Sequence, residues 1–144
     1  MEETYVRAYT ELLKHELIVA MGCTEPIAIA YAGALARKTL GREPERIDLA
    51  CSGNIIKNVK GVTVPKSGGM RGIEIAALLG LTGGDPERKL AVLESVTPES
   101  RARAQELARQ GICRTSLLEG EENLDILLTA WSGEDRAVDR KSVV

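Results

Sequence analysis

The chain has 144 residues, of which 44% are apolar and 28% are charged, a profile typical of one folded domain that buries about two-thirds of its unfolded surface. The formal net charge is −2 and the Lys and Arg residues are spread along the chain, which argues against nucleic acid or an anionic membrane as a partner. The longest apolar run, residues 27–35, is shorter than the roughly 18 residues that a membrane-spanning helix needs.

The N-terminal residues predict a cytoplasmic protein that begins with a helix. Glu2 and Glu3 stand where a secretory signal carries basic charge, so we expect no export. Residues 4–20 then place apolar side chains three and four positions apart, with charged residues between them. This spacing predicts an amphipathic helix.

A second helix is predicted over residues 27–40. Thr24 is suited to cap it, Pro26 falls in its first turn, where a missing N–H costs nothing, and Gly41 follows its last residue. The segment is apolar on nearly all sides until Arg37 and rich in Ala, which lets neighbouring backbones approach. We therefore expect a central, buried helix.

The remaining elements alternate between short strand patterns and helices. The alternation in residues 46–51 predicts a strand, residues 52–54 a turn, and residues 61–65 a short β-branched run that ends at Pro65. The later predictions, in chain order, are a glycine-containing loop at 66–69, a helix at 72–81, a helix after the 83–86 break to Ser95, a helix capped by Thr97 that runs to Gln110, strands at 112–118 and 124–131, and a strand from Arg136.

The strands at 112–118 and 124–131 are interpreted as an antiparallel hairpin, because only the short acidic turn 119–123 separates them. Together the elements predict an α+β domain spanning residues 1–144. Its helices would surround the buried small-residue helix and pack on a small, mostly antiparallel sheet.

Cys23 is the residue with the clearest chemical potential. It stands at the N-terminal edge of the second predicted helix, where the helix dipole and free N–H groups favour a thiolate, the form that binds metal. The alternative is that Cys23 packs between two helices. Cys51 and Cys113 are interpreted as apolar side chains on strand faces.

Three blocks of sequence carry a family resemblance: residues 21–32 (MGCTEPIAIAYA), 52–58 (SGNIIKN) and 61–77 (GVTVPKSGGMRGIEIAA). In their order and spacing they resemble the opening blocks of the L-cysteine desulfidase and serine dehydratase alpha-chain-like family. The resemblance implies that the chain corresponds to the N-terminal portion of a longer iron-sulfur lyase.

The resemblance also implies a reaction and a site. The reaction is the β-elimination of a small L-amino acid to pyruvate and ammonia, with sulfide released from cysteine, at a four-iron four-sulfur cluster whose open iron acts as a Lewis acid. Cys23 matches one cluster ligand. The positions that match substrate-holding segments are Thr24, Glu25, Asn54, Lys57, Asn58, Ser67, Gly68 and Gly69.

The chain departs from the family in having a single matching cysteine, because the other cluster ligands belong to a C-terminal portion. We therefore expect the cluster in the complete enzyme, with none bound to this chain alone, and no activity without a C-terminal partner chain. Two alternatives stay open: a small-molecule binding or regulatory module that kept the scaffold without the chemistry, and a subunit of a split enzyme.

We also expect a homo-oligomer, because a domain without its partner leaves apolar surface exposed. The candidate surfaces are the helix at residues 27–40, the helix at 73–81, and a sheet edge left open after Trp131.

Overall fold

A computed structural model describes residues 25–118 and 124–143. The predicted helix at residues 4–20, the residues Cys23 and Thr24, and the predicted acidic turn at 119–123 lie outside the described residues. What the sequence indicates for them stays a prediction.

The described chain is a layer of helices packed on one face of a four-stranded sheet. In chain order the elements are α1 (Glu25–Leu40), β1 (Arg46–Cys51), α2 (Gly53–Lys60), α3 (Ile73–Gly83), a 3-10 segment (Pro86–Ser95), α4 (Pro98–Gln110), β2 (Cys113–Leu117), β3 (Leu124–Ser132) and β4 (Asp135–Val143). The α+β prediction is confirmed. No helix in the described part of the chain has the length and apolar character needed to cross a membrane.

Helix α1 is the buried centre of the helical layer, as its composition predicts. Pro26 lies in the first turn, and every residue from 29 to 36 is buried. The helix ends at Gly41, whose backbone has φ +80° and whose N–H donates to the Arg37 carbonyl at 2.9 Å. Glycine is the residue found most often in this left-handed conformation just after a helix.

Helices α1 and α3 pack so closely that their backbones touch at glycines. A Cβ on Gly80 would lie 1.8 Å from the Ala30 carbonyl oxygen, and one on Gly33 would lie 2.3 Å from the Ala77 carbonyl oxygen. Only a residue without a side chain fits at these distances. The small residues of α1 therefore set the separation between the two helices.

The sheet has the strand order β2-β1-β3-β4 among the described residues. Strand β1 runs parallel to β2 and antiparallel to β3, and β3 runs antiparallel to β4. The alternating residues Ile47, Leu49 and Cys51 of β1 point into the core together with Ile126 and Leu128 of β3. The period-two pattern in the sequence correctly predicts the buried face.

The predicted hairpin of residues 112–118 with 124–131 is wrong. Strand β1 lies between β2 and β3, so the two predicted partners do not pair with each other. The path from β1 to β2 passes through helices and returns the chain in the same direction, which gives parallel pairing. Strand β1 has a central position in the sheet, and its residues Ile47, Leu49 and Cys51 are fully buried there.

Two local predictions between β1 and α3 are also wrong. Residues 52–54 start helix α2, because Ile55 and Val59 lie four positions apart and both are buried. Residues 61–65 form no strand, and only a single bridge joins Thr63 to Arg71. Pro65 has no backbone N–H to extend the pairing.

The helices after the 83–86 break are predicted with mixed success. Pro86–Ser95 is a 3-10 segment interrupted at Lys89, whose φ is +52°, in place of the expected regular helix. Helix α4 is capped at its start by Thr97, which exchanges hydrogen bonds with Ser100 in a capping box. Gly111, with φ +71°, caps its end. Both ends of α4 match the prediction.

The segments that were expected to leave apolar side chains exposed are mostly buried. The residues of α1 and α3 that face neighbouring elements are buried, and the edge after Trp131 is covered by β4 because Trp131 pairs with Arg136. The large apolar side chains that are exposed in the described residues are Val62, Met70 and Leu117. Among the described strands, β2 and β4 stand at the two edges of the sheet.

Candidate functional site

Two of the sequence blocks expected to hold substrate meet at the first turn of α1. The side-chain amide of Asn58 donates to the Glu25 carboxylate across 3.3 Å. This bond joins the start of α1 to the outer face of α2, although the two residues are far apart in sequence. Asn58 is exposed and Glu25 is half-buried, so the carboxylate remains within reach of solvent.

Helix α2 presents its predicted site residues outward because its apolar residues fix its orientation. Ile55 and Val59 face the core, which leaves Asn54, Lys57 and Asn58 exposed. No described residue forms an ion pair with Lys57. Lys57, which precedes Asn58 in the sequence, thus leaves its ammonium open to solvent.

The third block contributes two residues to the same region. Pro65 and Lys66 line a small cavity of about 160 Å³ together with Ile27 of the first turn of α1. Lys66 has φ +67°, a conformation that non-glycine residues rarely adopt. The turn of α1 thus adjoins both the Asn58 segment and the start of the glycine-containing loop.

Ser67 has a structural role in this arrangement. Its side chain is fully buried, and its hydroxyl accepts the Met70 N–H at 2.8 Å and donates to the Met70 carbonyl at 3.1 Å. The Gln105 amide of α4 donates to the Ser67 carbonyl. The hydroxyl is thus saturated inside the loop, while Gly68 and Gly69, at φ +79° and +92°, stay exposed.

The described cysteines do not fit the ligand set of an iron-sulfur cluster. Burial raises the pKa of the Cys51 thiol to about 12, and burial, followed by the nearby Glu74, does the same for Cys113. Without a bound metal both are therefore neutral thiols at neutral pH. Within residues 25–118 and 124–143, no three His, Cys, Asp or Glu side chains group to hold a metal ion. Their interpretation as packing side chains agrees with this burial.

A larger cavity, which no sequence motif predicts, lies on the other flank of α2. Its volume is about 430 Å³, and it is bounded by the end of α2, the start of α3 and strand β2. Its lining residues are Ile56, Lys60, Arg71, Gly72, Ile73, Glu74, Thr115, Ser116 and Leu117. The pair Arg71-Gly72 just before an apolar helix is the one sequence signal that could have drawn attention to it.

Comparison with known proteins gives relatives that are considerably longer than this chain. A UPF0597 protein of Finegoldia magna is 52% identical over 134 residues, which are 93% of this chain and 32% of the relative. A UPF0597 protein of Lachnoclostridium phytofermentans is 46% identical over 89% of this chain and 31% of its own length. The chain thus spans about a third of the length of the curated relatives it matches.

No family model matches the chain, and no solved structure matches it. The assignment to the L-cysteine desulfidase and serine dehydratase alpha-chain-like family is wrong, because the close relatives carry the name UPF0597 protein and that name states no link to such enzymes. The first and third blocks are rich in Gly, Pro and small residues, which helix starts, turns and close packing also require. The chain is similar to about a third of the length of these UPF0597 proteins.

Proposed function

We propose that this chain contributes a substrate-binding region to a longer β-eliminating lyase for a small L-amino acid. The reaction would release pyruvate and ammonia from the amino acid, together with sulfide when the substrate is cysteine. The geometry around the first turn of α1 supports the amino-acid-binding part of this proposal.

The observation that carries the proposal is the contact between Asn58 and Glu25, with Lys57 exposed at the adjacent position along α2. A free amino acid carries a carboxylate and an ammonium group. Lys57 supplies a cation for the carboxylate, and Glu25 supplies an anion for the ammonium. Asn58 is a positioning residue, because its amide holds the Glu25 carboxylate in place.

The cofactor proposed for the complete protein is a four-iron four-sulfur cluster, with Cys23 as one ligand. Because Cys51 and Cys113 are buried thiols, the remaining ligands would come from the part of the longer protein that this chain does not match. The residues of this chain would bind and orient the amino acid, and a C-terminal portion would complete the site.

The test uses a chimera in which this chain replaces the matched third of the Finegoldia magna relative. The parent and the chimera are purified without oxygen and assayed for pyruvate from L-cysteine and L-serine. We expect Lys57→Gln and Asn58→Asp to raise KM for the amino acid, with Lys57→Arg restoring it in part. Arg109→Gln on the exposed face of α4 serves as the matched control. A parent protein that forms no pyruvate from either amino acid would refute the proposal.

A further inference from the structure

We propose that the cavity between α2, α3 and β2 is a second binding site, specific for a free α-amino acid. It is separate from the region around Glu25, because Ile56 and Lys60 lie on the opposite flank of α2 from Asn58. The proposal does not depend on lyase activity.

The size and walls of the cavity suit a small polar ligand. Its volume of about 430 Å³ falls within the range of roughly 300–1,000 Å³ found for small-molecule sites. Ile56, Ile73 and Leu117 supply apolar surface, and Thr115 and Ser116 supply hydroxyl groups from the edge strand. Such mixed walls allow both burial and orientation of a ligand.

Two cations in the cavity point to a carboxylate. Lys60 and Arg71 both line it, and neither forms an ion pair with another residue in the described ranges. An Arg guanidinium binds a carboxylate with two parallel hydrogen bonds, and a Lys ammonium adds a point charge. A ligand carboxylate would neutralise the charge that the protein leaves unpaired.

The start of α3 adds backbone donors on the same wall. The residue before the helix is Gly72, which has no side chain to cap it, and no side-chain cap hydrogen bond forms there. The first N–H groups of a helix have no partner within the helix and carry a partial positive charge. Gly72, Ile73 and Glu74, at this helix start, line the cavity together with Arg71.

Glu74 distinguishes an amino acid from a simple anion. It lines the cavity from the first turn of α3, and burial raises the pKa of its carboxyl group. Among the described residues it has no salt-bridge partner. A ligand with a carboxylate alone leaves Glu74 unpaired, whereas the ammonium of an amino acid would pair with it.

The test is a titration of the isotope-labelled chain with L-serine, propionate and inorganic phosphate, followed by the backbone amide signals of Ile73 and Glu74. We expect L-serine to shift these signals. Arg71→Gln should weaken its affinity about tenfold or more, as for the loss of a hydrogen-bonded charge, and Lys60→Gln should weaken it less. Glu74→Gln should weaken binding of L-serine and leave propionate unchanged.

Two control variants separate this site from the region around Glu25. Lys57→Gln on the same helix and Arg109→Gln on α4 should leave the L-serine shifts at Ile73 and Glu74 unchanged. Each variant is compared with the parent by its amide spectrum without ligand, and Arg71→Lys replaces Arg71→Gln if the latter does not fold.

The absence of L-serine shifts at Ile73 and Glu74, or unchanged affinity in folded Arg71 and Lys60 variants, would overturn the site. Tighter binding of phosphate or propionate than of L-serine, with no effect of Glu74→Gln, would overturn its specificity. L-serine binding here together with an inactive Finegoldia magna relative would favour the alternative of a binding or regulatory module.

Discussion

At the scale of single residues, the most restrictive positions are those where backbone meets backbone. Gly80 and Gly33 let α1 and α3 approach until a carbonyl of one helix occupies the place of a side chain on the other. Protein interiors are packed too densely to yield at such a contact without moving a whole helix. The buried cysteines are restricted in another way, because burial keeps them as neutral thiols.

Gly80→Ala should destabilise the fold. The new Cβ would collide with the Ala30 carbonyl oxygen, and the overpacking cost of about 3 kcal/mol should exceed the roughly 1 kcal/mol that Ala gains in a helix. The measurement is the free energy of unfolding in urea. Gly61→Ala is the matched control, since no atom lies within 4 Å of its Cβ position and its φ is −90°. Equal stability of the two variants would contradict the close contact.

Cys51 and Cys113 should resist alkylation in the folded chain. Because their pKa is raised to about 12, the reactive thiolate is scarce at all lower pH values and becomes abundant only as the pH approaches 12. The measurement is iodoacetamide labelling of a Cys23→Ser variant at mildly alkaline pH, read by mass. We expect no label in the native chain and two labels in denaturant, and native labelling of either cysteine would show that it is accessible.

At the scale of elements, the helix boundaries follow local chemistry while the strand partners do not. Thr97 and Gly111 bound α4 where the sequence predicts, because a capping hydroxyl and a left-handed glycine act within one turn. The sequence does not predict helix α2, because the helix has only eight residues and its cap and first residue, Ser52 and Gly53, are typical of turns. The pairing of β2 with β1 depends on where several helices place the strands, which no local pattern records.

Thr97→Ala should shorten or loosen the start of α4. The Thr97 hydroxyl accepts the Ser100 N–H at 3.0 Å, and loss of such a cap typically costs about 1 kcal/mol. The free energy of unfolding should fall by that amount, and Thr97→Ser should retain most of the stability because it keeps the hydroxyl. A Thr97→Ser variant as unstable as Thr97→Ala would indicate that the methyl group, and not the cap, matters.

At the scale of the whole molecule, the open edge of the sheet is the feature that bears on assembly. Within residues 25–118 and 124–143, strand β2 pairs on one side only, and its residues 114–117 are exposed, with Leu117 exposed by 59%. An unpaired strand with an exposed apolar side chain can pair with a strand of another chain. We therefore expect self-association through this edge and not through the buried helices.

The chain should self-associate at micromolar concentration, with β2 of one copy against a second copy. Sedimentation velocity should show a species larger than the 15.5 kDa monomer. Leu117→Lys should shift the population to monomer by placing charge on the edge, while Met70→Lys, which adds the same charge at another exposed apolar position, should not. A monomeric parent chain would remove the basis for this interface.

The isolated chain should remain colourless after anaerobic incubation with iron and sulfide. Cys23 is the candidate ligand among its three cysteines, because Cys51 and Cys113 are enclosed in the core. A four-iron cluster requires several thiolates. The measurement is the visible absorption spectrum with iron analysis, and a stable brown colour lost in the Cys23→Ser variant would mean that chains share a cluster.

The sequence by itself determined the α+β class, the buried helix α1, strand β1 and both ends of α4, because periodicity, capping and glycine act over a few neighbouring residues. Glu25 and Asn58 were also site candidates from the sequence, and their side chains are in contact in the structure. Only the tertiary structure decided that β1 separates β2 from β3, that Ser67 is enclosed in its own loop, and that Lys60, Arg71 and Glu74 line one cavity. These depend on residues distant in sequence, and their relative positions follow from packing the helices on the sheet.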